Sequence, residues 1–163
     1  MIEVRLHGAL WKRAAEKRAD EWRRALAEIN ATNAARLVAP VEDPSLEFVR
    51  PPDGSFRVRV YASGYELVEE HVLDPARVQE LFDDYGATIR QLVHVDREAP
   101  VRGFEAIDYA KRVIHDEAAA FLRESLQSVV LLDLADARRL FTLVFLIGTD
   151  LPEELVRYHR RHV

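Results

Sequence analysis

Four residues, Glu105, Asp108, Arg112 and His115, recur at steps of three, four and three. On a helix these steps set all four along one side. The types are those of a site that handles anions or protons. An imidazole can give or take a proton near neutral pH. A guanidinium forks onto a carboxylate or phosphate. Arg138 and Arg139, in the next apolar segment, could complete the set. Asp108, Arg112, Arg138 and Arg139 around His115 would then form an anion-binding or partner-binding site. In its enzymatic form His115 is the catalytic acid/base acting on a phosphorylated or acidic metabolite. A variant is phosphotransfer, with a solvent-facing His115 followed by Asp116 and Glu117. The plain alternative is a solvated helix face. There an exposed Asp108–Arg112 pair is worth only a few tenths of a kcal/mol.

Other chemistries find less support. No H-E-x-x-H occurs, and no E-x-x-H lies on this helix, so no metal site is expected there. Asp108 and His115 stand about 10 Å apart along the axis, too far to share an ion. His159 and His162 have permissive spacing but sit in a basic tail, RYHRRHV, where positive charge suits a helix end. There is no cysteine, which excludes disulfides and a thiolate nucleophile. Nucleophile-elbow, P-loop and dinucleotide-binding glycine patterns are missing, and no cofactor is implied. The net charge of −5 makes nucleic acid an unfavoured partner. The longest apolar run, residues 140–147, is far short of the roughly 20 residues of a membrane span. The opening MIEVRLHGAL has no secretion-signal pattern, so the cytoplasm is the expected compartment.

The elements that must position these residues follow from periodicity. Residues 2–6 and 56–61 alternate apolar and polar, as half-buried strands do. Ser63-Gly64 supplies a hairpin turn, and residues 65–72 read as the return strand. Residues 10–29 are rich in helix formers, with Asp20 a candidate restart. The proline-rich stretch 30–54 reads mostly as loop, with a short extended piece at 46–49. Asp74-Pro75 starts a helix running to about Val95, and a break with Pro100 and Gly103 follows. The polar row then lies on a helix over 104–126. Its expected buried seam is Phe104, Ile107, Ala110, Ile114, Ala118, Phe121 and Leu122. After a short strand near 129–132, Asp133 caps a helix over 133–147. Thr149 or Asp150 starts a terminal one. The expected fold class is therefore α+β, one domain over 1–163. A small three-stranded, mainly antiparallel sheet should pack on four to five helices.

Residues 105–126, EAIDYAKRVIHDEAAAFLRESL, and 133–147, DLADARRLFTLVFLI, resemble the bacterial Uncharacterised Protein Family 0262. Its members carry E-A-I-D-x-x-R-R-x-x-H-N-E and, later, A-R-R-L-F-T-L. The matching positions are Glu105, Ala106, Ile107, Asp108, Arg112, His115 and Glu117, then Asp136 to Leu143. An upstream Y-x-x-x-I-R fits Tyr85, Ile89 and Arg90. The likeness is good over about 85–147. Lys111 stands where the family has the first arginine, and Asp116 where it has asparagine. The resemblance implies a cytoplasmic bacterial protein and brings no catalytic residue with it. The leading expectation is a regulatory or protein-interaction module that takes a protein partner or small anion. The run 140–147 is apolar nearly all round. It belongs either in the core or against a second copy, so a homodimer with this helix near the interface is expected.

Overall fold

The computed structural model describes residues 2–98 and 101–149. The expected terminal helix and the His159/His162 pair lie outside the described residues, as does Pro100 of the expected break.

The order is β1 (Glu3–Leu6), α1 (Gly8–Arg13), α2 (Glu16–Thr32), β2 (Arg36–Leu37), β3 (Ser45–Val49) and β4 (Arg57–Ala62). It continues with β5 (Glu66–Val72), α3 (Pro75–Glu98), α4 (Val101–Leu126), β6 (Val130–Leu131) and α5 (Leu134–Gly148). The class is α+β, as expected, but the sheet has four strands rather than three, in the order β1-β3-β4-β5. β1 runs parallel to β3, and the other two pairings are antiparallel. The extra strand is the short extended piece of the proline-rich stretch. Ser45, Leu46, Phe48 and Val49 are all buried. A strand covered on both faces loses the alternation by which a sequence declares it. β2 and β6 form a separate two-stranded ribbon, so the short strand expected near 129–132 finds its partner at Arg36 and Leu37.

The first helical stretch is two helices. Ala14 and Ala15 are extended, and α2 restarts at Glu16 rather than at Asp20. The break lets Trp11 and Trp22 meet with ring centroids 5.6 Å apart. The hairpin turns at Gly64, whose φ of 73° is the left-handed region that glycine reaches without strain.

The two sheet edges differ. Along β1, Asn33 donates to the Ile2 carbonyl (3.0 Å) and accepts from the Ile2 amide (3.2 Å). Asn30 repeats the pattern on Val4, at 2.9 and 2.8 Å. The side chains of Asn30, in α2, and Asn33, its C-cap, thus imitate a neighbouring strand. β5, at the other edge, is exposed along nearly its whole length.

The core lies between the sheet and the helices. Leu46, Phe48, Val58 and Val60 share one buried cluster with residues of α2, α3 and α5. Phe82 meets Phe56 and Phe145 edge-on, at 5.7 and 5.6 Å. α5 is buried from Asp136 to Ile147 apart from Arg138 and Arg139, packed by α2 and α4. The expected dimer placement at α5 is thereby corrected: its all-round apolar surface is covered within one chain. None of the helices in the described residues is long and apolar enough to cross a membrane.

Candidate functional site

α4 decides the fate of the polar row. Of the side chains expected to form its buried seam, Ala118 and Leu122 are buried, while Ile107, Ala110, Ile114 and Phe121 are only half-buried. Asp108, Lys111, His115, Ala119 and Leu126 are buried with those two. The helix is turned by roughly 70° from the orientation that hydrophobicity alone assigns, at 100° per residue. The cause is the packing of α3 on one flank and α5 on another. The line Asp108, Lys111, His115 falls between them, so the row is split: Asp108 and His115 are buried, Glu105 and Arg112 exposed.

His115 is 4% exposed. Its ring stacks on Tyr85, 5.5 Å between centroids at 26°, and meets Phe141 at 5.5 Å. Nε2 lies 3.3 Å from the Thr142 hydroxyl. That hydroxyl donates to the Arg138 carbonyl (3.0 Å), which leaves its lone pairs for an Nε2–H. Burial, with the Lys111 cation behind it, lowers the imidazole pKa from 6.5 to about 4 against the pull of Asp116. At neutral pH the ring is uncharged. A solvent-facing phosphoacceptor is therefore not what the fold presents, and no imidazolium is at hand for acid catalysis. Tyr85 is fully buried, and desolvation pushes its phenol up.

The arginines separate. Arg112 reaches solvent and donates to Asp108 Oδ2 at 2.6 Å. Arg138 donates to Asp116 Oδ1 at 2.6 Å, a bond that raises its pKa. Arg139 points the other way, to Asp136 (3.5 Å) and to Glu28 of α2 (3.8 Å). Asp136 is itself buried and accepts from the Ala34 amide at 3.0 Å. The fold brings His115, Asp116, Arg138 and Thr142 together. Arg112 stays with Asp108 beside them, and Arg139 is set apart. Each of the three guanidiniums holds a carboxylate, so no open anion clamp forms here. Among the described residues no group of three His, Cys, Asp or Glu could hold a metal.

Sequence reasoning passed over Lys111, Tyr85 and Thr142 as parts of this cluster. Lys111 is 1% exposed, with Nζ 6.0 Å from the Tyr85 ring centroid. A signal existed: Lys111 lies three residues from Asp108 and four from His115, on the same line of the helix.

A model of the Uncharacterised protein family (UPF0262) matches residues 1–149. The chain belongs to this family. The match reaches well beyond 85–147, over the sheet as well as the helical half. Bacterial UPF0262 proteins are similar in sequence. One from Novosphingobium aromaticivorans is 36% identical over 110 residues, 67% of this chain and 63% of the relative. The chain therefore spans somewhat less than two thirds of that relative's length. One from Allorhizobium ampelinum is 26% identical over 132 residues, 74% of this chain and 84% of the relative. No solved structure matches. These UPF0262 comparisons name no activity, so function rests on the site itself.

Proposed function

We propose that this chain is a one-domain cytoplasmic interaction module, regulatory in role, that works as a homodimer through the outward face of α4. One observation carries the reading. Tyr109 is 70% exposed and Val113 47%, one turn apart, on the side of α4 opposite the buried line. With Arg112 and Asp116 they form an i, i+3, i+4, i+7 row, the pattern by which a helix docks. Tyrosine and arginine are the residue types that anchor interfaces. Asp108 holds Arg112, and Arg138 holds Asp116, so both charges are already oriented. Arg139, turned toward α2, takes no part in this face.

A second copy suits this row. Two α4 helices packed antiparallel about a two-fold axis bring Tyr109 of one beside Asp116 of the other, with both Val113 side chains near the centre. The phenol can donate to the carboxylate, and the apolar pair closes the middle. A single hydrophobic cluster joining sheet and helices supports the one-domain part of the proposal.

The test is size-exclusion chromatography with light scattering at tens of micromolar. Wild type should run as a dimer. Tyr109→Glu and Val113→Glu should run as monomers with unchanged circular dichroism. A monomeric wild type, or variants that remain dimeric, would reject this surface. Fractionation of cells carrying a tagged chain checks the compartment.

A further inference from the structure

We propose that a cleft at the α1–α2 break binds a small organic anion, a phosphate or carboxylate carried on a short apolar body. The cavity measures about 410 Å³ and lies on a different side of α5 from the His115 cluster. Leu10, Trp22 and Ile147 make an apolar floor, and Arg13, Arg18 and Arg50 stand at the rim. That volume falls within the range of small-ligand sites, which pair an apolar lining with a few placed polar groups.

The partners of Arg13 and Arg50 differ from those of most arginines among the described residues. Arg57, Arg59, Arg77, Arg112, Arg138 and Arg139 each hold a carboxylate. Arg13 donates only to the carbonyls of Ala9 (3.3 Å) and Arg50 (3.0 Å) among the described residues. Arg50 donates to the carbonyls of Gly148 (2.7 Å) and Ile147 (3.5 Å) at the end of α5, and lies over the Phe56 ring. Arg18 adds a bond to the Thr149 carbonyl at 3.2 Å. Carbonyls orient a guanidinium without cancelling its charge. Two full positive charges are thus held side by side in a chain of net charge −5. Their mutual repulsion registers at Arg50: burial, and then Arg13, make it release its proton more readily than usual. An anion seated between them relieves both costs. The donors that these carbonyl bonds leave over are of the type that suits two-point recognition of a phosphate or carboxylate. The apolar floor selects a ligand with a hydrocarbon or aromatic body over a bare ion.

The sequence's two tryptophans report on the site, since Trp22 forms part of the floor and Trp11 packs on it at 5.6 Å. The full chain is titrated with phenyl phosphate, benzoate and inorganic phosphate, and binding is followed by tryptophan fluorescence and calorimetry. Phenyl phosphate, benzoate or both should bind saturably, with inorganic phosphate at least tenfold weaker. The stronger of the two aromatic anions identifies the preferred headgroup. Arg13→Gln, at an exposed position, should weaken binding at least tenfold. Arg77→Gln, on α3, should leave it unchanged. Absence of saturable binding by both aromatic anions overturns the proposal. So does equal binding by Arg13→Gln, or an equal loss in Arg77→Gln.

Discussion

His115 shows how a residue type takes its meaning from its surroundings. The same imidazole that could shuttle protons at a surface is held neutral against Tyr85 and Phe141. Its folded pKa of about 4 lies below the ordinary 6.5. Between those values the unfolded chain binds more protons than the folded one, so stability falls as pH drops through that window and levels off below it. The full shift corresponds to about 3 kcal/mol. Urea unfolding at pH 7.5, 6, 5 and 4 measures this. The difference between wild type and His115→Gln should shrink by about that amount across the series, because the variant lacks the titrating group. A His115 ring-proton resonance, assigned by its loss in His115→Gln, that titrates near 6.5 would contradict the burial. Gly148 makes a comparable point about space. Within a helix, alanine for glycine stabilises by up to about 1 kcal/mol. At Gly148 an added β-carbon would lie 2.6 Å from Phe56 Cζ and closer still to the Phe82 ring. Overpacking of this kind costs about 1–3 kcal/mol, so clash outweighs propensity. Gly148→Ala should lower the urea midpoint with little change in slope.

Among the elements, the two sheet edges carry different consequences. β1 is closed by Asn30 and Asn33, which occupy the hydrogen-bonding groups another strand would seek. Asn33→Ala would strip the buried Ile2 amide and carbonyl of their partners. At about 1–3 kcal/mol for each of these two losses, a drop of about 2–6 kcal/mol is expected in denaturant unfolding. The Ile2 amide should also exchange faster with solvent. An unaltered exchange rate would mean that β1 is held by β3 alone. β5 is protected differently. It exposes Leu67, Val68 and Val72, but Glu66, Glu69 and Glu70 alternate with them. Glu70 binds Arg57 and Arg59 of β4, which lowers its pKa, chiefly through the Arg59 bond. Acidic side chains along an edge discourage pairing with a second copy of the same edge. This is one reason to place the dimer contact on α4.

At the scale of the whole molecule, three helices share one polar cluster while the charges available to an outside anion gather elsewhere, beside the end of α5. How much of this was legible in the sequence depended on whether the signal was local. Composition and periodicity were enough for the α+β class, for α3, α4 and α5, for the β4–β5 hairpin with its Gly64 turn, and for the family likeness around His115. Each rests on spacing along a few turns or on a short motif, which tertiary contacts reinforce rather than reverse. The central place of β3, the break at Ala14–Ala15 and the parallel β1–β3 pairing rest on partners tens of residues away. No local pattern encodes them. The turn of α4 was decided by tertiary structure alone. Hydrophobicity put Ile107 and Ile114 inside, but packing between α3 and α5 buried Asp108, Lys111 and His115 instead. Bonds and ring contacts to Arg112, Tyr85, Phe141 and Thr142 meet part of the cost of that burial. The sequence determined which residues were capable of chemistry. Only the fold could decide which of their charges would be cancelled, because cancellation depends on the partner that packing sets within about 3 Å.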